Sequence, residues 1–396
     1  MRDVYVLGVG AHPWGKFPGK PLTQMAIEAA SKALEDAGLE WRNIGALVSC
    51  SSHFCGGMGW GNHGNELIQE VNANGLPVYN ITDACAVGGV AVNTGYLMVA
   101  SGQYDAVMVV AAEKPPEGML PLTPASVEED ITNTDYVRWA AVRASNPIYW
   151  GLETIRRMKD FGTTETTLAK ASVLMHKNAV PNPLARFRKA FTVEQVLASA
   201  LVSYPLRVYE ICAVSDGAAA IILGSAREAR KRGTNLVSVA GSSIGTRQFG
   251  DAWMNAPYYS FPKPSGPQLS DVVAAENRAF QIAGMTHQDI DFIELQDNSS
   301  WHVLAWPEYL GFCQPGQGDY MLEHGEFEIN GKLPINASGG FLSFGEATTA
   351  QGILQVCELT WQLRGECKER QIQNAKVGLS VSFGLGGTGT AVILKK

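Results

Sequence analysis

The 396-residue chain carries one pattern twice, and this constrains its fold more than any other feature. In the first copy, Val4 to Gly10 reads as a buried strand. A Gly/Pro loop follows to Pro21, then a helix with Leu22, Ala26, Ala29, Ala30, Ala33, Leu34 and Ala37 on one face, Thr23 as N-cap and Gly38 as stop. Ile44 to Cys50 is the next strand. In the second copy, Leu236 to Gly241 is strand-like, Val272, Val273, Glu276, Ala279, Phe280 and Ala283 line a helical face that stops at Gly284, and Ile290 to Leu295 follows. Ala37-Gly38 and Ile44 recur as Ala283-Gly284 and Ile290 at a spacing of 246, and Gly88-Gly89 recurs as Gly339-Gly340 at 251. Each copy closes on a Gly turn entering a buried strand, Asp216 to Leu223 and Gly387 to Leu394. The alternation of strands and helices predicts an α/β fold of two pseudo-symmetric halves, 1–230 and 231–396. The stretch from about 115 to 209 breaks the pattern. It reads as an insertion that caps a site, with helices around Tyr149 to Phe161 and Glu165 to Asn178.

Composition excludes several function classes. A net charge of −7 with no basic run argues against nucleic-acid and anionic-membrane partners. No apolar run approaches the ~20 residues of a membrane span. The opening MRDVYVLGVG enters a strand at once, leaving no room for a signal peptide. Seven cysteines without a tight spacing fit a reducing cytoplasm. Cys50-Ser-Ser-His53-Phe-Cys55, with His63 nearby, lacks a second ligand pair, so no metal is expected.

The most informative stretch is Ile81-Thr-Asp-Ala-Cys85-Ala-Val-Gly-Gly-Val. It places a cysteine at the start of a helix from about Val90 to Ala100. Small residues let that helix approach another backbone closely, and the helix macrodipole favours a thiolate at its start. Such a thiolate suits a covalent acyl carrier, while a buried packing cysteine is the plainer alternative. The Gly-rich turn Ser382-Phe-Gly-Leu-Gly-Gly-Thr-Gly389 suits an oxyanion site or a tight β-turn. It is followed by a strand, so it is neither a P-loop nor a dinucleotide fingerprint.

Taken together, VYVLGVG, AIEAASKALEDAGL, DACAVGG, SDGAAAIIL, DIDFIELQD, NASGG and the C-terminal Gly turn resemble the thiolase superfamily over the full length, specifically its sterol-carrier-protein type. The resemblance implies a five-layered αβαβα fold and Cys85 as acyl-accepting nucleophile. Coenzyme A is then a co-substrate, with no permanently bound cofactor. A homodimer is implied, with the strand near Asp105 to Ala112 as its pairing edge.

Three positions depart from the family pattern. Glu346 stands where the family has the His of a Gly-His-Pro. Gln296-Asp297-Asn298 replaces an Asn-Glu or His-Asp segment. The proton-transferring Cys or His near the C-terminus has no counterpart in Val381-Ser-Phe-Gly-Leu-Gly-Gly. A retuned rather than dead pocket follows: Glu346, its pKa raised by burial, as base on Cys85 or on CoA; Gln296 as oxyanion donor; His302 as a displaced replacement histidine or, more simply, a hydrogen-bonded histidine at a helix start; Asn298, Gly384, Gly386 and Gly387 as oxyanion or substrate contacts. Trp60, Trp139, Trp150, Trp253, Trp301 and Trp306 crowd the loops and suit a bulky aromatic acyl group. Arg138, Arg143, Arg156, Arg157, Arg186, Arg188 and Arg207 suit CoA phosphates or a substrate carboxylate. The sequence is similar to the branch that cleaves benzoylsuccinyl-CoA in toluene degradation, which implies a separate small zinc-ribbon/OB-fold partner protein and a hetero-oligomer. A retro-aldolase on a steroid-type acyl-CoA and a non-catalytic acyl-CoA-binding subunit are the alternatives.

Overall fold

A computed structural model of the chain describes residues 1–52, 64–73, 75–115, 146–233, 235–246, 271–384 and 387–396. The first part comprises β1 (Val4–Gly15), α1 (Leu22–Ala37), β2 (Ala46–Ser52), α2 (Gly64–Glu70), β3 (Val78–Asp83), α3 (Val87–Ala100) and β4 (Ala106–Glu113). Then come α4 (Asn146–Phe161), α5 (Glu165–Ala179), α6 (Val193–Leu197), the short β5 (Leu201–Ser203) and β6 (Leu206–Arg207), β7 (Asp216–Ser225) and α7 (Ala226–Arg230). The remainder holds β8 (Val237–Thr246), α8 (Asp271–Ala283), β9 (Phe292–Leu295), α9 (Ser300–Tyr309), α10 (Gln317–Glu323), α11 (Gly340–Phe344), α12 (Thr348–Arg364), β10 (Val377–Gly384) and β11 (Thr388–Lys395).

Among the described residues the main sheet runs β3-β2-β4-β7-β1-β8-β11-β10-β9, an order that reads as a mirror image about β1 and β8. The pairing senses mirror as well. β1 with β7 and β8 with β11 are antiparallel, β4 with β7 and β10 with β11 are antiparallel, and β2 with β4 and β9 with β10 are parallel. The place of β3 in the second half is taken by a single parallel bridge, Ile293 to Ile335. Gly38 and Gly284 end α1 and α8 at φ 61° and 65°, left-handed conformations in which glycine carries no Cβ penalty.

Side-chain alternation builds the layers. On β4, Ala106, Met108 and Val110 pack under α1, while Val107, Val109 and Ala111 join a cluster with α3 and α12. On β11, Ala391 and Ile393 pack with α8, while Val392 and Leu394 face the α3–α12 cluster. The central helices therefore lie between the two halves of the sheet, with α1 and α8 outside them, giving the α–β–α–β–α layering.

Three sequence expectations need correction. α1 begins at Leu22 with Pro21 at the N-cap position and no side-chain cap, so Thr23 lies inside the helix; proline's fixed φ presets that entry. Gly88-Gly89 lie within α3, whereas Gly339-Gly340 open α11, so the two pairs are not equivalent: the partner of α3 is α12. β4 is not a pairing edge. It is bonded to β2 and β7 and buried along its whole length, and the strand at that end of the sheet is β3, where Tyr79, Asn80 and Thr82 are exposed.

Candidate active site

Two glycine contacts set the site's position. A Cβ on Gly352 of α12 would lie 2.5 Å from the Gly89 nitrogen, and one on Gly88 would lie 2.9 Å from the Thr349 carbonyl oxygen. Only glycine lets α3 and α12 touch backbone to backbone here. Their N-termini converge as a result. Cys85 and Glu346 each stand two positions ahead of their helix, so equivalent loops of the two halves supply a thiol and a carboxylate.

Cys85 donates its S–H to the Glu346 carboxylate, and its carbonyl accepts from Gln351 Nε2 at 3.1 Å. The Glu346 backbone is committed elsewhere: its N–H bonds Ala213 O at 2.6 Å, and its carbonyl accepts from Ser215 N–H at 2.9 Å. The carboxylate is left for side chains and accepts from Cys85, Asn298 and Cys212. Burial raises the Glu346 pKa, as expected, and these three donors hold the rise back. Burial first, then the Glu346 charge, pushes the Cys85 thiol well above its usual range. The macrodipole contributes at most ~2 kcal/mol, while deep burial shifts a group by up to ~3–5 pKa units at ~1.4 kcal/mol each. Burial and the neighbouring Glu346 charge thus favour the Cys85 thiol, against the pull of the helix start toward a thiolate.

Residues 296–298 place one side chain each on three elements. Gln296 Oε1 accepts the Phe383 N–H at 2.8 Å, and its Nε2 donates to Asn298 Oδ1 at 3.0 Å. Asp297 accepts the N–H of Phe341 at 2.6 Å, anchoring the start of α11 and so the loop that carries Glu346. Asn298 Nδ2 donates to Cys212 Sγ at 3.4 Å. The amide of Gln296 thus braces Asn298, with one N–H outside these contacts.

His302 lies elsewhere. It is the third residue of α9, its Nδ1 accepts the Ser299 N–H at 3.0 Å, and its ring stacks on Phe383 at 5.6 Å. Burial lowers its pKa to about 3, so it is neutral, and the proton sits on Nε2 because Nδ1 accepts. Its partners among the described residues are Ser299 at the helix start and the rings of Trp150, Trp301, Trp306 and Phe383.

The Gly turn abuts Cys85. A Cβ on Gly384 would come within 3.2 Å of the Cys85 nitrogen. Gly387 donates its N–H to Gly384 O at 2.9 Å, closing the turn, so that N–H does not point to substrate. Gly386 lies outside the described residues, as do Trp60, Trp139, Trp253, Arg138, Arg143, His53, Cys55 and His63. Several described arginines serve the protein itself. Arg157 is buried between Glu308 and Asp319 at 2.7 and 2.6 Å, Arg207 bonds Glu165, and Arg186 donates to Val214 O.

One residue, Glu113, escaped the sequence reading, and another, Cys212, reads from the sequence only as a core or surface thiol. Cys212 meets Glu346 Oε2 at 3.9 Å. Glu113, at the end of β4, accepts from Thr348 Oγ1 and Thr349 N–H, both at 2.5 Å; burial raises its pKa to about 7. It caps α12, whose own N-cap residue Ala347 has no side chain for the task, and its charge raises the Cys85 pKa.

Comparison with known proteins shows the family. A family profile described as "Thiolase C-terminal domain-like" matches residues 263–396. An acetyl-CoA acetyltransferase of Methanothermobacter thermautotrophicus is 35% identical, with 99% of each chain covered. Sterol carrier protein 2 of Homo sapiens is 31% identical over 100% of this chain and 72% of its own length. The solved "Ltp2-ChsH2(DUF35) aldolase" superposes with a TM-score of 0.82 at 24% identity, covering 99% of this chain and 97% of that one.

Proposed function

The chain belongs to the thiolase superfamily, in its sterol-carrier-protein branch, and from that premise we propose that it cleaves a bulky, aromatic β-keto acyl-CoA by CoA-dependent thiolysis. Benzoylsuccinyl-CoA, split to benzoyl-CoA and succinyl-CoA, is the substrate that best fits the sequence resemblance. The observation that carries the reading is the Cys85 thiol held on the Glu346 carboxylate where two helices begin.

Glu346 takes the Cys85 proton, and the thiolate attacks the keto carbonyl. Backbone N–H groups of Cys85 and of the turn between Gly384 and Gly387 hold the oxyanion, with Gln296 keeping the site's amides in place. The C–C bond breaks, leaving an acyl group on Cys85 and an acyl-CoA enolate that takes up a proton. Glu346 then deprotonates CoA, which collects the acyl group. His302 acts as a structural cap, so Glu346 is the base. Coenzyme A is consumed as co-substrate, and no permanently bound cofactor takes part.

The two halves divide at 230/231, and a homodimer pairs along β3. A small zinc-ribbon/OB-fold partner protein fits the resemblance, and the structural neighbour's partnership with ChsH2 supports it. The described cysteines are free, which suits the cytoplasm. A retro-aldolase is the second reading, favoured by that same neighbour. Mass spectrometry after incubation with β-keto acyl-CoAs, with and without partner, separates the two. Thiolysis gives an acyl adduct on Cys85 that Cys85→Ser abolishes together with scission. Scission that survives Cys85→Ser establishes the aldolase instead.

A further inference from the structure

We propose that Cys212 is the acid that protonates the carbon released when the substrate's C–C bond breaks, so that two working thiols share one carboxylate. The proposal rests on the thiolase reading and deepens it.

The segment bearing Cys212 is held by the residues that form the site. Cys212 N–H donates to Asn298 O at 2.9 Å, Ile211 bridges Ser299, and Val214 bridges Glu346. Arg186 Nη1 fixes Val214 O from outside at 2.5 Å. The thiol is thereby delivered between the Asn298 amide and the Glu346 carboxylate.

These surroundings set it apart from the chain's packing cysteines. The thiols of Cys50 and Cys357 each donate to a backbone carbonyl, both at 3.4 Å. Cys367 meets the Glu358 carboxylate, whose charge is already balanced by Arg370. Among the described residues Glu346 meets no cation: its three donors are Asn298, Cys85 and Cys212.

The chemistry needs a second acid. When the C–C bond breaks, Cys85 carries the acyl group and has no proton to give. Cys212 S–H protonates the enolate carbon, leaving acyl-CoA and the Cys212 thiolate. Glu346, still carrying the proton from Cys85, returns it to Cys212. The carboxylate is then free to deprotonate CoA, whose thiolate attacks the thioester. The Cys85 thiolate departs and recovers its proton from Glu346, so protons and charge balance over the cycle.

The test compares two reactions of the full chain with its partner. Thiolysis of benzoylsuccinyl-CoA or acetoacetyl-CoA generates the carbanion. Acyl exchange between benzoyl-CoA or acetyl-CoA and isotope-labelled CoA uses Cys85 and Glu346 but breaks no C–C bond. In Cys212→Ala, thiolysis falls by about 10²-fold or more, while exchange falls far less. Cys212→Ser, which keeps the size but is too weak an acid, behaves the same way and stands in if the alanine variant does not fold. Equal losses in both reactions, or undiminished thiolysis, overturn the assignment. If the wild type neither exchanges acyl groups nor forms a Cys85 adduct, the thiolase reading itself is wrong and the role of Cys212 goes with it.

Discussion

Gly352→Ala tests whether the crossing of the two central helices sets the chemistry. The added Cβ would meet the Gly89 nitrogen at 2.5 Å, the Gly88 carbonyl carbon at 3.0 Å and the Gly89 Cα at 3.2 Å. All three are backbone atoms, so no side chain can rotate away. Carbon contacts are comfortable at ~3.5 Å, so α3 and α12 must part by ~1 Å at this point. Cys85 and Glu346 sit at the starts of these helices, and the displacement opens their hydrogen bond. A misplacement of that size costs ~10²-fold in rate, and overpacking of this kind costs ~1–3 kcal/mol in stability. Steady-state thiolysis and urea unfolding measure the two effects. Gly19→Ala is the control, because its Cβ meets nothing within 4 Å. If Gly352→Ala turns over as fast as the control, close helix contact does not position the nucleophile, and the argument from the glycines is wrong.

Glu346 must be ionised to act as a base, so wild-type kcat/KM falls as pH drops through its pKa, which burial places above 4.5. Glu346→Gln removes that acid limb and lowers thiolysis by ~10²–10⁴-fold; near-normal turnover of this variant would exclude it as the base. Glu113 titrates at about 7 in the fold, against 4.5 for an ordinary glutamate, so its proton stays on longer in the native state. The stability this confers is complete below 4.5 and is lost as pH rises through about 7, a change of ~3 kcal/mol at 1.36 kcal/mol per unit. Glu113→Gln removes this share of the pH dependence in urea unfolding at pH ~5 and ~8. The shares of Glu153 and Glu210, both also at about 7, remain, so an unchanged slope would mean that Glu113 is not protonated as described.

Much of the fold was legible because local and tertiary signals agreed. α1 and α8 each end on a left-handed glycine, and the strand after each is apolar, so the duplication could be read directly. β4 misled for a physical reason. Its eight buried residues read equally well as a central strand or as an apolar interface, and only the sheet order shows that β3, with Tyr79, Asn80 and Thr82 exposed, lies at that end. In the site, the small residues after Cys85 leave it open between acyl carrier and packing thiol, and the family pattern singles out both Cys85 and Glu346, which the structure brings together. Cys212 carried no local signal. Its surroundings come from Asn298 and Glu346, 86 and 134 positions away, and only the paired segments bring these together. His302 reads either as a base or as a helix-start histidine, and its Nδ1 on the Ser299 N–H is the second of these.

The mirrored strand order says something about ancestry. A doubled gene begins with twin loops, and twins can offer only like groups: sulfur opposite sulfur, or acid opposite acid. Here the corresponding loops differ: one carries a thiol and the other a carboxylate, and a single polypeptide holds both. Neither loop can drift alone, because each holds one half of a single hydrogen-bonded couple.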